Sequence, residues 1–181
     1  MTLQDYVILD RDGVINYDSE AFIKSPQEWI PLPKSLEAIA VLNRSGFRVV
    51  IATNQSGIAR GYFDIQMLNR IHDKMHRMVA DHGGTIDTIY YCPHGPQDHC
   101  KCRKPKTGLL EQFASEHDVQ FKNTPFIGDS PRDIQAGIAV GAQPFLVKTG
   151  KGTKTLKDHP NINVPVFNNL YEASQFIISR Q

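Results

Sequence analysis

Net charge and cysteine are what this chain has least of. Its 20 Lys and Arg stand against 19 Asp and Glu, which leaves a formal charge of +1. No global field therefore draws it to nucleic acid or to an anionic membrane, and any recognition of anions has to be local. Long apolar runs are also missing. Val49-Val50-Ile51-Ala52 is among the longest, far short of the roughly 20 residues that cross a bilayer. The amino terminus, with Asp5 among its first residues, lacks the basic, apolar and small-residue order of a signal peptide. These absences lead to the expectation of a cytoplasmic protein, monomeric, with neither nucleic acid nor membrane as a partner. Cysteine is limited to Cys92, Cys100 and Cys102. An odd number crowded into one short stretch makes a poor disulfide framework and a good metal cluster.

What is present is ordinary for a globular domain: 181 residues, 40% hydrophobic and 22% charged, a length that one domain covering 1–181 accommodates. Strand and helix signals alternate along it. Tyr6-Val7-Ile8-Leu9 reads as a buried parallel strand. Residues 13–33, broken by Pro26, Pro31 and Pro33, read as loop or flap. Ser35 reads as the N-cap of a helix ending near Gly46, and Asp64 as the cap of a longer one carrying Leu68, Ile71, Met75, Met78 and Val79 on one stripe. Further strands are expected over 47–53, 86–91, 124–127, 143–147 and 164–167. Helices are expected around Leu109 to Ala114, from the Ser130-Pro131 cap through Ile138, and over 170–178, with 149–160 a mobile loop. The alternation implies an α/β fold: one Rossmann-like, doubly wound parallel sheet covered on both faces. Ligands in such folds lie beyond the carboxyl ends of the strands.

Four of those ends carry unusual chemistry: Asp10-Arg11-Asp12-Gly13, Thr53-Asn54-Gln55-Ser56-Gly57, the segment from Cys92 to Lys104, and Gly128-Asp129-Ser130-Pro131-Arg132-Asp133. Each alone passes for a turn or a helix cap. Together, and in this order, they fit phosphoryl transfer, which needs an in-line nucleophile and stabilised charge. Asp10 can attack phosphorus to give an aspartyl-phosphate. Asp12 can serve as general acid and then base. Asp10, Asp12 and Asp129 are candidate ligands for Mg²⁺, and Thr53, Asn54, Gln55 and Ser56 form a candidate phosphate cradle. A lysine must offset the anions, and spacing leaves Lys104 and Lys106 in competition. Asp133 is a candidate for orienting the lysine or the metal site.

The order Asp-x-Asp-Gly, strand-end Thr, Lys, Gly-Asp-x-x-x-Asp resembles the haloacid-dehalogenase superfamily. Residues 9–16, 53–61 and 102–105 resemble, more narrowly, its D-glycero-D-manno-heptose 1,7-bisphosphate 7-phosphatases, over most of the chain from Tyr6 to about Lys151. The resemblance implies the fold of that superfamily and Mg²⁺-dependent hydrolysis of the 7-phosphate of the heptose bisphosphate, feeding ADP-heptose and lipopolysaccharide core synthesis. It also implies that Lys104 is the phosphate-holding lysine, that Arg103 recognises substrate, and that Asp18, Ser19, Glu20 and Ala21 form a substrate-contacting segment. The gaps after Asp12 and Thr53 leave no room for a large cap domain.

Cys92-Pro93-His94 and Cys100-Lys101-Cys102 offer four soft ligands for a tetrahedral Zn²⁺, which would be structural because it leaves no open position. His99 competes with His94, and the resemblance favours His94. The short stretch between the pairs, Gly95 to His99, is also similar to the histidinol-phosphate phosphatase domain, which makes histidinol phosphate the alternative substrate. Trp29 reads as a packing residue and Arg60 as a loop arginine within reach of a distal phosphate. His72, His76, His82, His117 and His159 show no partner pattern and read as solvated or helix-face residues. Lys148, Lys151, Lys154 and Lys157 read as a solvated basic stretch.

Overall fold

The structure, a computed structural model, describes residues 5–181. Six strands form one sheet: β1 (Tyr6–Leu9), β2 (Arg48–Asn54), β3 (Thr88–Cys92), β4 (Pro125–Gly128), β5 (Gln143–Val147) and β6 (Val166–Phe167). Six helices alternate with them: α1 (Ser35–Arg44), α2 (Ile65–Asp81), α3 (Gly108–His117), α4 (Pro131–Val140), α5 (Gly152–Asp158) and α6 (Leu170–Ile178). The strand order is β3-β2-β1-β4-β5-β6, and each neighbouring pair is parallel. Among the described residues no helix is long and apolar enough to cross a membrane.

The alternation of side chains along β1 divides the core in two. Val7 and Leu9 face one cluster, with Leu36, Ile39 and Leu42 of α1, Ile71, Met75 and Val79 of α2, and Ala173 and Ile177 of α6. Tyr6 and Ile8 face the other, with Leu109, Leu110 and Phe113 of α3 and Ala136 of α4. A strand buried on both faces has to be apolar at every position, which is why β1 reads as a continuous run. Trp29, fully buried in the first cluster, packs the 13–33 flap onto it.

Local signals fix several helix starts. The Asp64 side chain accepts from Met67 N at 2.8 Å at the start of α2. Ser130 and Asp133 form a capping box for α4, with Pro131 as the first helical residue. Two expectations need correction. Ser35 is the first residue of α1, not its cap; Lys34 is the cap, and Ser35 Oγ donates instead to Ile15 O at 2.6 Å, tying the helix to the flap. The 149–160 stretch is not a free loop, because 152–158 form α5. Thr155 Oγ1 donates to Asp129 O at 2.9 Å, giving that helix a tertiary partner that a local reading cannot see.

Candidate active site

Strand order reverses between β1 and β4, and the chain leaves these neighbours in opposite directions. The crevice this opens lies at their carboxyl ends. Asp10 follows β1, with its N–H on Ile127 O of β4 at 2.9 Å. Asp129 follows β4. Carboxylate oxygens of Asp10, Asp129 and Asp133 all lie within 4.8 Å of one another. The only ammonium bound to them in the described residues belongs to Lys104, which is almost fully buried. Its Nζ donates to Asp133 Oδ1 at 2.7 Å, Ala52 O at 2.7 Å and Asp10 Oδ1 at 3.0 Å. Burial alone would lower this lysine's pKa, but Asp10 and Asp133 outweigh it and the net shift is upward.

One lysine does not balance three carboxylates. Burial first, then repulsion from Asp133, pushes Asp10 up to about 7 despite Lys104. Burial, then Asp133 and Asp10, pushes Asp129 up to about 8. Crowded hard oxygen donors of this kind fit a divalent cation such as Mg²⁺. Asp133 is already committed: Oδ1 takes Lys104, and Oδ2 accepts from Ser130 N at 3.1 Å and Ser130 Oγ at 2.8 Å. Asp10 and Asp129 are the carboxylates left to meet a metal. Asp129 Oδ2 also accepts from Lys151 N at 2.8 Å. A Cβ on Gly13 or Gly150 would fall 2.0 or 2.2 Å from that oxygen, and both glycines have positive φ. Only glycine at these two positions lets the carboxylate lie where it does.

Asp12 stands apart from the three. Its Oδ1 accepts from Arg11 Nη2 at 2.9 Å, Arg11 Nε at 3.2 Å and Asn16 Nδ2 at 2.9 Å, and its Oδ2 from Gln55 Nε2 at 2.9 Å. Burial would raise its pKa, but the Arg11 guanidinium and these donors prevail and hold it below the ordinary value. With its carboxylate so engaged, Asp12 is not among the carboxylates that converge with Asp10 and Asp129.

A cavity of about 250 Å³ opens over these groups, lined by Asp10, Asp12, Asp129 and Lys104 and also by Arg60, Arg103, Arg132 and Lys151. Asp18, Ser19 and Glu20 line it, as do Asn54, Gln55 and Ser56. Thr53 and Ala21 are not among the lining residues. Thr53 is buried and its Oγ1 accepts from Gln55 Nε2 at 3.0 Å, so it stands behind the cradle. Lys106 turns away, with Nζ on Cys100 O at 2.6 Å. Sequence reasoning missed Phe22, Ile23, Arg132 and Lys151. Arg132 had a usable signal, its place in the first turn of a helix that begins beside a strand-end carboxylate. Lys151 had none, since only the fold brings its Nζ within 3.2 Å of Asp18 Oδ2. His72 is a further correction. Of the two readings given it, solvated or helix-face, the second holds, since it lies on α2, but that face is buried and its Nε2 lies 3.1 Å from Arg11 Nη1. His117 likewise packs, against Tyr6 and Phe113. A polar residue on the buried stripe of α2, between Leu68 and Met75, was the signal for His72.

The four cysteine-loop residues converge. Cys92 Sγ lies 3.0 Å from Cys102 Sγ, 3.7 Å from Cys100 Sγ and 3.6 Å from His94 Nδ1, and His94 Nδ1 lies 3.3 Å from Cys102 Sγ. A tetrahedron with zinc bond lengths has edges of roughly 3.5–3.8 Å, so the set is compatible with Zn²⁺. His94 is in the cluster and His99 is outside it.

What this sheet carries at its switch point is the machinery of a haloacid-dehalogenase-type phosphatase, acting on a phosphoester. A family model described as HAD-hydrolase-like matches residues 101–173. The D-glycero-beta-D-manno-heptose-1,7-bisphosphate 7-phosphatase of Bordetella bronchiseptica is 57% identical over 150 residues, covering 83% of this chain and 84% of that protein. The Pseudomonas putida protein of the same name is 48% identical over 172 residues, covering 95% and 98%. A crystal structure of the D,D-heptose 1,7-bisphosphate phosphatase from B. bronchiseptica, complexed with magnesium and phosphate, superposes with a TM-score of 0.95 at 49% identity, covering 98% of this chain and 99% of that one. The chain belongs to the D-glycero-D-manno-heptose 1,7-bisphosphate 7-phosphatase family of the haloacid-dehalogenase superfamily.

Proposed function

We propose that this chain hydrolyses the 7-phosphate of D-glycero-D-manno-heptose 1,7-bisphosphate through an aspartyl-phosphate on Asp10, in the cytoplasm and as a single-domain monomer, on the way to ADP-heptose. The observation that carries the chemistry is the meeting of Asp10, Asp129 and Lys104 at the β1–β4 crevice, with Asp12 two residues beyond the nucleophile. Asp10 Oδ1 accepts from Arg11 N at 2.8 Å as well as from Lys104, which orients the carboxylate for in-line attack. A new bond forms from a carboxylate oxygen to phosphorus and the bond to the sugar oxygen breaks. Asp12, ionised in the free site and protonated once the substrate's phosphate anion lies against it, gives that oxygen its proton. In the second half Asp12 takes a proton from water, which displaces Asp10 and releases phosphate.

Mg²⁺, held by the carboxylates of Asp10 and Asp129 and the main chain of Asp12, would supply charge neutralisation that lets two anions meet. Asn54, Gln55 and Ser56 cradle the transferred group, and Lys104 balances it. Asp133 holds Lys104 in place. Zn²⁺ on Cys92, His94, Cys100 and Cys102 would stiffen the loop that presents Arg103.

Support for a bisphosphorylated substrate comes from the arginines of the cavity wall. Arg60, Arg103 and Arg132 all line it, and burial first, then the positive charge of Arg132, lowers the pKa of Arg103. None of the three has a carboxylate partner in the described residues. Guanidinium groups with no carboxylate to neutralise them, gathered around one cavity, suit a second phosphate. Asp18, Ser19 and Glu20 close the flap side. The deciding experiment is phosphate release from both heptose bisphosphate anomers, fructose 1,6-bisphosphate and histidinol phosphate in Mg²⁺. The heptose bisphosphates should have the highest kcat/KM. Preference for histidinol phosphate, cationic at its other end, would overturn the substrate assignment.

A further inference from the structure

Arg11 is the largest charged side chain to be fully buried among the described residues, and the reaction as derived gives its guanidinium no step of its own. Its hydrogen bonds are asymmetric. Nε and Nη2 both reach Asp12 Oδ1, whereas Nη1 points the other way, to His72 Nε2 on α2 at 3.1 Å. A guanidinium can only donate, so Nε2 must be the unprotonated, accepting nitrogen of a neutral imidazole. The surroundings agree: burial, then the positive charge of Arg11, pushes His72 down to about 3. The ring is anchored through α2, whose Ile71 and Met75 sit in the core, and it packs against Tyr91 with centroids 6.4 Å apart. A helix on one face of the sheet is thus joined, through two buried hydrogen-bonding side chains, to the carboxylate beside the nucleophile.

We infer that His72 is a positioning residue for the reaction: it holds the buried Arg11 guanidinium in the orientation that aims the Asp12 carboxylate at the leaving-group oxygen. This rests on the reading of Asp12 as the acid–base group. A guanidinium is planar, so the direction taken by Nη1 sets the plane in which Nε and Nη2 present their protons. Without an acceptor at Nε2, Nη1 is a buried donor left unpaired. The guanidinium then gains by turning toward another oxygen, and Asp12 turns with it. Displacement of an acid by a fraction of an ångström is enough to cost rate.

The test compares His72→Leu, which removes the acceptor, with His72→Gln, whose Oε1 can replace Nε2. Values of kcat/KM are measured on a sugar bisphosphate and on an aryl phosphate with a good leaving group. Both variants are also combined with Asp12→Asn. His72→Leu should lose roughly 10-fold on the sugar phosphate and less than about 3-fold on the aryl phosphate, whose leaving group needs little protonation. His72→Gln should recover most of the loss. In the Asp12→Asn background His72→Leu should cost less than about 2-fold, because the group it positions is already disabled. Equal losses on the two substrates, or losses that multiply in the double variant, would mean that His72 only fills the core. If Asp12→Asn alone keeps wild-type turnover, the acid–base reading fails and takes this inference with it; a slow Asp12→Asn with multiplying losses sinks the inference and leaves that reading standing. Should His72→Leu not fold, His72→Asn replaces it. Its amide is too short to reach Arg11, so it should be slow where Gln is not, and equal rates for Asn and Gln would overturn the proposal.

Discussion

Two donor clusters among the described residues suit a divalent ion, and they are built on opposite plans. The carboxylates of Asp10 and Asp129 come from adjacent strand ends, far apart in sequence, and open onto a cavity. The cysteine–histidine set spans only positions 92 to 102, from the last residue of β3 into the loop that follows, and offers four ligand atoms, as many as a tetrahedral site has corners. The first keeps room for waters and substrate and depends on the whole sheet for its geometry. The second draws all its donors from one strand end and the loop after it. Ligand number and origin thus separate a site for chemistry from a site for holding shape, before any ion is considered.

That contrast can be broken by substitution. Asp10→Asn should lower turnover by at least about 10⁴-fold, the scale seen when a covalent catalyst loses its nucleophile, with little change in Tm. Phosphate release and a thermal melt check it together, and activity near wild type would end the nucleophile assignment. Asp12→Asn should cost about 100-fold on a sugar phosphate, again with the fold intact. Arg103→Ala should lower kcat/KM for the bisphosphate by several-fold to about 100-fold, corresponding to ~1–3 kcal/mol for a charged hydrogen bond. A small monophosphate should be nearly unaffected, and equal losses on both would remove Arg103 from recognition.

The cysteine cluster should respond in the opposite currency of observables. Cys102→Ser should release zinc and lower Tm by roughly 5 °C or more, the equivalent of a few kcal/mol in a domain of this size. Its activity should fall in the pattern of Arg103→Ala, because the same loop carries that arginine. Metal analysis that finds no zinc in protein purified without chelators would refute the assignment.

The smallest effect is a pH dependence. In the metal-free protein Asp10 is raised to about 7 and Asp129 to about 8. Between the ordinary carboxylate range and those values the folded state holds protons that the unfolded chain has lost. Stability of the metal-free form should therefore fall as pH rises through about 4 to 8. Mg²⁺ neutralises the same carboxylates, so the difference in Tm with and without Mg²⁺ should widen across that window. A constant difference would mean that these carboxylates are not the ones the metal meets.

Much of this was legible in the sequence, for physical reasons that differ by element. β1 and β5 were found because apolar runs bounded by polar ends have one reading in a buried sheet. The caps of α2 and α4 were found because Asp64 and Ser130-Pro131 act locally. Asp10 and Asp129 announced themselves by falling at strand ends, whereas spacing left Lys104 in competition with Lys106 and only the family resemblance chose between them. What escaped depends on tertiary partners: α5, tied down through Thr155; Ser35, which spends its hydroxyl on Ile15; Lys151, brought to Asp18 by the fold; and His72, whose meaning lies in an arginine from another element. The Asp12 carboxylate is the instructive case. Its position next to the nucleophile was readable, but the four donors that turn it away from the metal ligands were not.

The Asn54 side chain donates to Lys104 O at 3.1 Å and accepts from Lys104 N at 3.0 Å. This is the two-way exchange of N–H and C=O that a residue makes with its partner across an antiparallel ladder. Lys104 therefore sits as if it were a rung one residue long, laid beside the end of β2 by a side chain in place of a strand. A loop lysine has by this means acquired the positional discipline of a sheet residue. Replacing Asn54 by Asp would remove the donor half of the rung and set a negative charge against a carbonyl oxygen, so the lysine's backbone would lose its register while its ammonium still had three acceptors to serve.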